Sequence, residues 1–297
     1  ATVVSGATRV SIGVQSFDDR ELRGLGRVHT AGLASDRVAA AVASGLDVSL
    51  DLMCGIPFQT PESWHKSLAR AVELGVGHVS CYPLMIEAGT PLERMCESGE
   101  VPWPSDDTEA DDMETAFDVF ESAGYSRYEV ASYAQPGKRC QHNIAYWTGI
   151  PYLGLGVSAA SMLSLPEYET LQTVVSSLPA PSDGAWRFRL TSSDDVRAYA
   201  RVRSLAELSF EVEQMTETEV VAEDLMLAAR MTDGIPAALQ ARARHVLGEN
   251  RVGECFSALI GNGFLVAADC GSLVPTKKGW LLGNELYGPL WNLASEG

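Results

Sequence analysis

Residues 8–17 read TRVSIGVQSF, and the fold turns on how they alternate. Side chains of an extended chain point to opposite faces with period two. Val10, Ile12 and Val14 therefore share one face, and Ser11, Gly13 and Gln15 the other. Residues 47–54, DVSLDLMC, repeat the pattern, with Val48, Leu50 and Leu52 set against Ser49, Asp51 and Met53. A strand buried on both sides reads as a continuous apolar run, and these two do not. One face is built to pack on helices, while the other presents a Gln, an Asp and little bulk. A buried carboxylate is costly unless paired or hydrogen-bonded. Asp51 must be satisfied by protein, water or ligand, and the plainer alternative is that it ties down a neighbouring loop.

Outward from these two strands the first half alternates between strand and helix. Further strands are expected over 77–84, 125–133 and 152–159, with helices near 30–45, 60–75 and 105–123. Thr60-Pro61 opens one helix with an N-cap and a proline at the first helical position. The acids after Pro104 open another, where they suit the helix dipole. This alternation predicts an α/β protein with right-handed crossovers and a parallel sheet, a partial (β/α) barrel. In 152–158, Gly154, Gly156 and Ser158 fall on one parity and Leu153, Leu155 and Val157 on the other, which predicts a lumen with room for a ligand. Functional groups of parallel barrels gather at the C-terminal ends of the strands. Gln15 lies at such an end, and Arg27 follows in the next loop.

Residues 165–195 break the alternation with proline- and serine-rich text and are expected as a loop or hairpin insertion. A helix from Asp195 to about Leu208 is expected next. Thr216-Glu217-Thr218-Glu219 caps another helix, and two more follow near 236–246 and 252–262. A hairpin over 263–276 and a last helix near Lys278 complete a winged-helix-like module. The expected division is 1–165 for the barrel portion, 166–212 for the insertion and connecting helix, and 213–297 for the module.

The chain has 297 residues, 46% of them hydrophobic, so a sizeable core can be buried. Its net charge of −17 argues against nucleic acid or an anionic membrane as partner, since both attract a basic footprint. No run is long and apolar enough for a membrane span, and a cytoplasmic protein is expected. The six cysteines, Cys54, Cys81, Cys96, Cys140, Cys255 and Cys270, form no close pair. They are expected as reduced, mostly buried thiols, without the spacing of a zinc or iron–sulfur site. The five histidines show no metal spacing, and neither a P-loop nor a GxSxG elbow occurs.

Five stretches, in order, carry a resemblance: SIGVQSFDDRELRGLGRVH, DLMCGIPFQTPESW, PLMIEAGTPLERM, CQHNIAYWTGIPYLGLGVSA and LVPTKKGWLLGNE. Together they resemble the radical S-adenosylmethionine family of oxygen-independent coproporphyrinogen III oxidases. CQHNIAYW at 140–147 is more similar to the heme-chaperone branch than to the oxidase proper. The likeness is strong over 1–165, holds at the family level over 216–297 and is poor over 165–195.

The resemblance implies a partial (β/α) barrel followed by a small C-terminal domain, with S-adenosylmethionine and a 4Fe-4S cluster as cofactors. It places Gln15, Arg27 and Asp51 on positions that hold S-adenosylmethionine, and Met85 and Ala160 on two further cofactor-lining positions, although the types of these last two differ from the oxidase pattern. A carboxylate suits hydroxyl or amino donors, an arginine suits a carboxylate, and a glutamine serves either. The family's CxxxCxxC motif and the glycine-rich stretch after it are not in this sequence. TRVSIGVQSF corresponds to about the fourth barrel strand, so the chain is expected to begin mid-barrel and, as it stands, to be catalytically inactive.

Three roles follow from the resemblance. The first is a truncated heme-chaperone-type protein that delivers heme to an acceptor protein. The second is an anaerobic coproporphyrinogen III oxidase, which converts propionates to vinyls. The third is a cluster-free binding protein. For heme or porphyrin, Cys140 and His142 are candidate ligands, since thiolate and imidazole are common axial ligands. The competing expectation is that they lie in a polar loop, with His142 and Asn143 pinning it and Tyr146 and Trp147 packing beneath.

Overall fold

The structure, a computed structural model, describes residues 6–295. It consists of two compact units, 1–140 and 141–297.

The first unit runs β1 (Arg9–Gln15), α1 (Asp19–Gly24), α2 (Ala31–Ala43), β2 (Asp47–Cys54), α3 (Pro61–Glu73), β3 (His78–Pro83), α4 (Pro91–Glu97), α5 (Asp106–Ser122), β4 (Ser126–Arg127) and β5 (Ser132–Ala134). The helices start where local chemistry satisfies free N–H groups. Asp18 accepts from the amides of Arg20 and Glu21, Thr30 from Leu33, and Thr60 and Ser63 close a capping box. One five-stranded sheet has the order β1-β2-β3-β5-β4. β1, β2 and β3 are parallel, and β5 and β4 add antiparallel pairings. The apolar parity packs as read. Val14, Val48, Leu50, Leu52, Val79 and Cys81 form one core with Trp64 and Leu68 of α3 and Phe120 of α5.

The sheet does not close among the described residues, and two expected strands differ. Residues 125–133 are not one parallel strand but the short antiparallel pair β4 and β5. The buried Glu129 carboxylate accepts the Ala131 N–H at 3.2 Å, and the Tyr128 N–H reaches Ser132 O, so the chain turns back on itself there. Residues 152–159 form no strand; Tyr152 makes an isolated bridge to Met162.

The second unit runs α6 (Gln141–Trp147), β6 (Ala160–Ser164), α7 (Leu165–Gln172), β7 (Ala185–Ser192), α8 (Val196–Tyr199), β8 (Phe210–Thr216), α9 (Glu217–Ala228), α10 (Ala237–Leu247), α11 (Glu249–Gly261), β9 (Leu265–Ala267), β10 (Leu273–Pro275), α12 (Lys277–Leu281) and α13 (Gly283–Trp291). β6, β7 and β8 make an antiparallel sheet. Tyr168 of α7 stacks on Phe188 of β7 at 3.8 Å beneath it.

The expected insertion is thus half helix and half central strand. The expected helix 195–208 shrinks to α8: the Asp195 cap is real, but no α8 side chain is buried, so nothing rewards a longer helix. The strand after it was legible as the alternation FEVEQ, in which Glu211 and Glu213 are exposed between half-buried neighbours, while Met215 breaks the period and is buried. The capping box at Thr216 and the helix–helix–hairpin order of the C-terminal module appear as read. Among the described residues no helix is long and apolar enough to cross a membrane.

Candidate functional site

The face of the first unit's sheet that does not pack on helices is a polar row set by register. Gly13 pairs with Asp51, Asp51 with Ser80, and Ser80 with Ser132; Ser49 pairs with His78, and Met53 with Tyr82. Asp51 sits in the middle. Ser11 Oγ donates to its carboxylate at 3.3 Å, and Ser80 adds a second hydroxyl. Burial raises its pKa, and these two hydrogen bonds only partly oppose the rise. Its neighbours are hydroxyls rather than cations, which leaves it acceptor capacity toward a ligand.

His78 closes one side of the row. Its Nδ1 lies 2.7 Å from Ser49 Oγ and its Nε2 2.9 Å from the Tyr128 hydroxyl. Burial, reinforced by the Arg9 charge, pulls its pKa down to about 4, so the ring is neutral at physiological pH. It is a structural histidine with both nitrogens used.

Gln15 ends β1 with φ +68°, a conformation uncommon outside glycine, just after the register slips between Gly13 and Gln15. The Tyr82 hydroxyl donates to its Oε1 at 3.3 Å. Burial and the Asp51 charge raise the Tyr82 pKa, while Arg27 acts in the opposite direction. Gln15 thus meets the Tyr82 hydroxyl directly, and the Asp51 and Arg27 charges act on it in opposite directions.

Of the sequence-derived site residues, Gln15 and Asp51 lie on this face, while Arg27 is exposed on the loop after α1 and reaches it through its charge alone. Met85, 77% exposed, lies on the loop just past β3. Ala160 begins β6 in the second unit, and its carbonyl presses against Gly154, where a Cβ would come within 2.1 Å. The Gly154 signal was a close backbone approach, not an empty lumen. Gly156 (φ +129°) and Ser158 (φ +56°) turn the chain, and Leu155 is 82% exposed. Tyr82 and Ser80 were missed, although their parity on β3 with His78 was there to be read.

All six cysteines are free; Cys54, Cys81 and Cys96 are buried. The half-buried Cys140 gives its N–H to the Tyr128 hydroxyl at 3.3 Å. His142 does not lie in a loop. It stands on α6, one turn before Tyr146, and its ring meets Tyr146 edge-on at 4.7 Å. Tyr146 in turn meets Tyr152 at 4.5 Å. These rings, with Asn143, Trp147, Met162 and Arg189, line a cavity of about 420 Å³ within the second unit. Trp147 Nε1 is buried without a hydrogen-bond partner among the described residues. Arg189 is held by Glu213 at 2.7 Å and by Glu223, so its charge is already balanced.

No family model matches the chain. It is similar to the heme chaperone HemW of Mycobacterium tuberculosis (strain CDC 1551 / Oshkosh), 32% identical over 252 residues, covering 82% of this chain and 59% of the relative. It is also similar to the heme chaperone HemW of Escherichia coli (strain K12), 40% identical over 172 residues, covering 57% of this chain and 44% of the relative. The chain thus spans about half the length of these relatives. Among solved structures it is similar to coproporphyrinogen III oxidase (HemN) from Escherichia coli, a radical SAM enzyme, with a TM-score of 0.70 and 18% identity over 98% of this chain and 65% of that one. That likeness concerns the fold, and it fits an open, barrel-derived sheet. The sequence likeness is thus to HemW heme chaperones, and the fold is shared with the radical SAM enzyme HemN.

Proposed function

We propose that this chain is the heme-handling portion of a heme-chaperone-type protein: it holds heme or a porphyrin for an acceptor protein and carries half of an S-adenosylmethionine pocket. The observation that carries the first claim is the cavity of the second unit. An imidazole beside two tyrosines, a tryptophan and a methionine is suited to a flat, largely apolar ring system with a metal at its centre. The size of the cavity, about 420 Å³, falls in the ordinary range of ligand sites, about 300–1,000 Å³. His142 is the ligand this geometry favours over Cys140, because the imidazole lines the cavity.

For S-adenosylmethionine the polar face of the first unit fits. Asp51 offers an acceptor already oriented by two hydroxyls, Gln15 an amide and Arg27 a cation, while Met85 adds apolar surface. When bound beside a reduced cluster, this cofactor supplies one-electron radical chemistry. Among the described residues no group of three or more His, Cys, Asp or Glu is placed to hold a metal ion. They do not fit a cluster. What this chain's own residues do is bind and orient.

A heme titration of the full chain tests the proposal, followed at the Soret band for wild type, His142→Ala and Cys140→Ala. Saturation near one equivalent, with the band altered in His142→Ala and kept in Cys140→Ala, is expected. A spectrum indifferent to His142 retires it as ligand, and no saturable binding in wild type retires the heme reading.

A further inference from the structure

Gln15 is 5% exposed, yet among the described residues its side-chain amide has one hydrogen-bond partner, Tyr82. A buried primary amide has an acceptor end and a donor end, and which end points where is set by its partners. Here the backbone does half of the orienting. The left-handed turn at Gln15 folds the side chain back over β1, and its Nε2 comes to lie 2.9 Å from where a Cβ on Gly13 would stand. Gly13 pairs with Asp51 across the strands. The amide nitrogen therefore hangs over the same rung of the sheet as the Asp51 carboxylate, whose own partners are hydroxyls. Only glycine at position 13 leaves room for this arrangement.

The remaining question is what keeps Oε1 away from that rung. Tyr82, two rungs along β3 from Ser80 and on the same parity, supplies a hydroxyl to it at 3.3 Å. Tyr82 remains a protonated donor at physiological pH, because burial and the nearby Asp51 charge both disfavour the phenolate.

We propose that Tyr82 is a positioning residue whose hydroxyl fixes the flip of the Gln15 amide, so that Gln15 Nε2 as donor and Asp51 as acceptor face one ligand together. Such a donor–acceptor pair recognises a ligand that has a hydroxyl or amino donor close to an oxygen or ring-nitrogen acceptor, as the adenosine end of S-adenosylmethionine does. This rests on the reading of the polar face as that cofactor's pocket. Tyr82 acts through Gln15, and Tyr82→Phe keeps the ring while removing only the hydroxyl.

The test needs neither cluster nor turnover. The side-chain amide resonances of Gln15 are assigned in the full chain by their loss in Gln15→Glu, then followed in Tyr82→Phe, with thermal melting as the check on folding. S-adenosylhomocysteine is then titrated into each protein. The expected result is a shifted or broadened Gln15 amide pair in Tyr82→Phe. Affinity for S-adenosylhomocysteine should fall roughly threefold to tenfold, the range of one neutral hydrogen bond, and should fall no further when Tyr82→Phe is added to Gln15→Glu. An unmoved Gln15 amide in a folded Tyr82→Phe protein overturns the inference, whatever the ligand does. If the amide moves but S-adenosylhomocysteine perturbs neither Gln15 nor Asp51 in wild type, Tyr82 orients Gln15 but the ligand reading of the face fails.

Discussion

Asp51 and Glu223 are both carboxylates withdrawn from water, and the protein treats them in opposite ways. Glu223, 5% exposed, accepts from Arg187 at 3.0 Å and from Arg189, while Asp224 beside it is held by Arg187 at 2.8 Å and Arg242 at 3.7 Å. Among the described residues Asp51 has two serine hydroxyls and no cation. A carboxylate whose charge is answered inside the fold serves the fold, and removing one partner leaves the others uncompensated. A carboxylate left with hydroxyls keeps its charge available to something that binds. The same contrast separates two glycines. Gly154 is needed because a carbonyl lies against it, and Gly13 because a flexible amide does.

The contrast is broken or sharpened by removing one partner at a time. Glu223→Ala leaves Arg187 with Asp224 alone and Arg189 with Glu213 alone, and is expected to cost about 3 kcal/mol in chemical denaturation. A loss below about 1 kcal/mol would mean that the network is no more than a surface pair. Gly154→Ala drives a methyl into the Ala160 carbonyl, which cannot swing aside as a side chain would, and is expected to cost about 1–3 kcal/mol; an unchanged denaturation midpoint would show that the loop relaxes freely.

Asp51→Asn should behave in the opposite way. Because burial raises the Asp51 pKa, ionising this group opposes folding, so the variant should hold or gain stability near neutral pH while losing affinity for S-adenosylhomocysteine. A destabilised variant that still binds would place Asp51 in the structural class with Glu223. Gly13→Ala is expected to move stability by less than about 1 kcal/mol and yet to weaken the same binding, since the Gln15 amide must give way. A change in melting without a change in binding would reverse that assignment.

The pH dependence carries a sign for each group. His78 has a folded pKa near 4, below the usual imidazole value of 6.5. Its contribution is present above 6.5 and is lost as pH falls toward 4. Asp112, buried in the second turn of α5, is raised by burial from 3.8 to about 6, so its contribution is present below 3.8 and is lost as pH rises toward 6. Denaturation midpoints measured from pH 4 to 7 should lose the first component in His78→Gln and the second in Asp112→Asn.

Much of the polar face was legible before any coordinates. The parity of 9–15 and 47–54 put Gln15 and Asp51 on one face and Val10, Ile12, Leu50 and Leu52 on the other, and both strands form over those residues. The caps at Thr60 and Thr216 were equally readable, because a cap is chemistry between neighbours in sequence. The same period-two rule misread 152–159, where glycine alternates for a different reason. It also left 125–133 unbroken, because the folding back of Glu129 onto Ala131 has no periodic signature.

What the sequence by itself determined is therefore local: where strands and helices begin, which side of each is apolar, and which polar side chains share the other side. Tertiary structure decided the rest. It placed Tyr82 against Gln15 and withheld a cation from Asp51. It set His142, Tyr146 and Tyr152 ring to ring around a cavity, and gave Glu223 two arginines from β7. Periodicity and capping depend on residues a few positions apart. The meeting of side chains from different strands depends on register and on the competing partners each group finds, and a single chain read in order does not contain that competition.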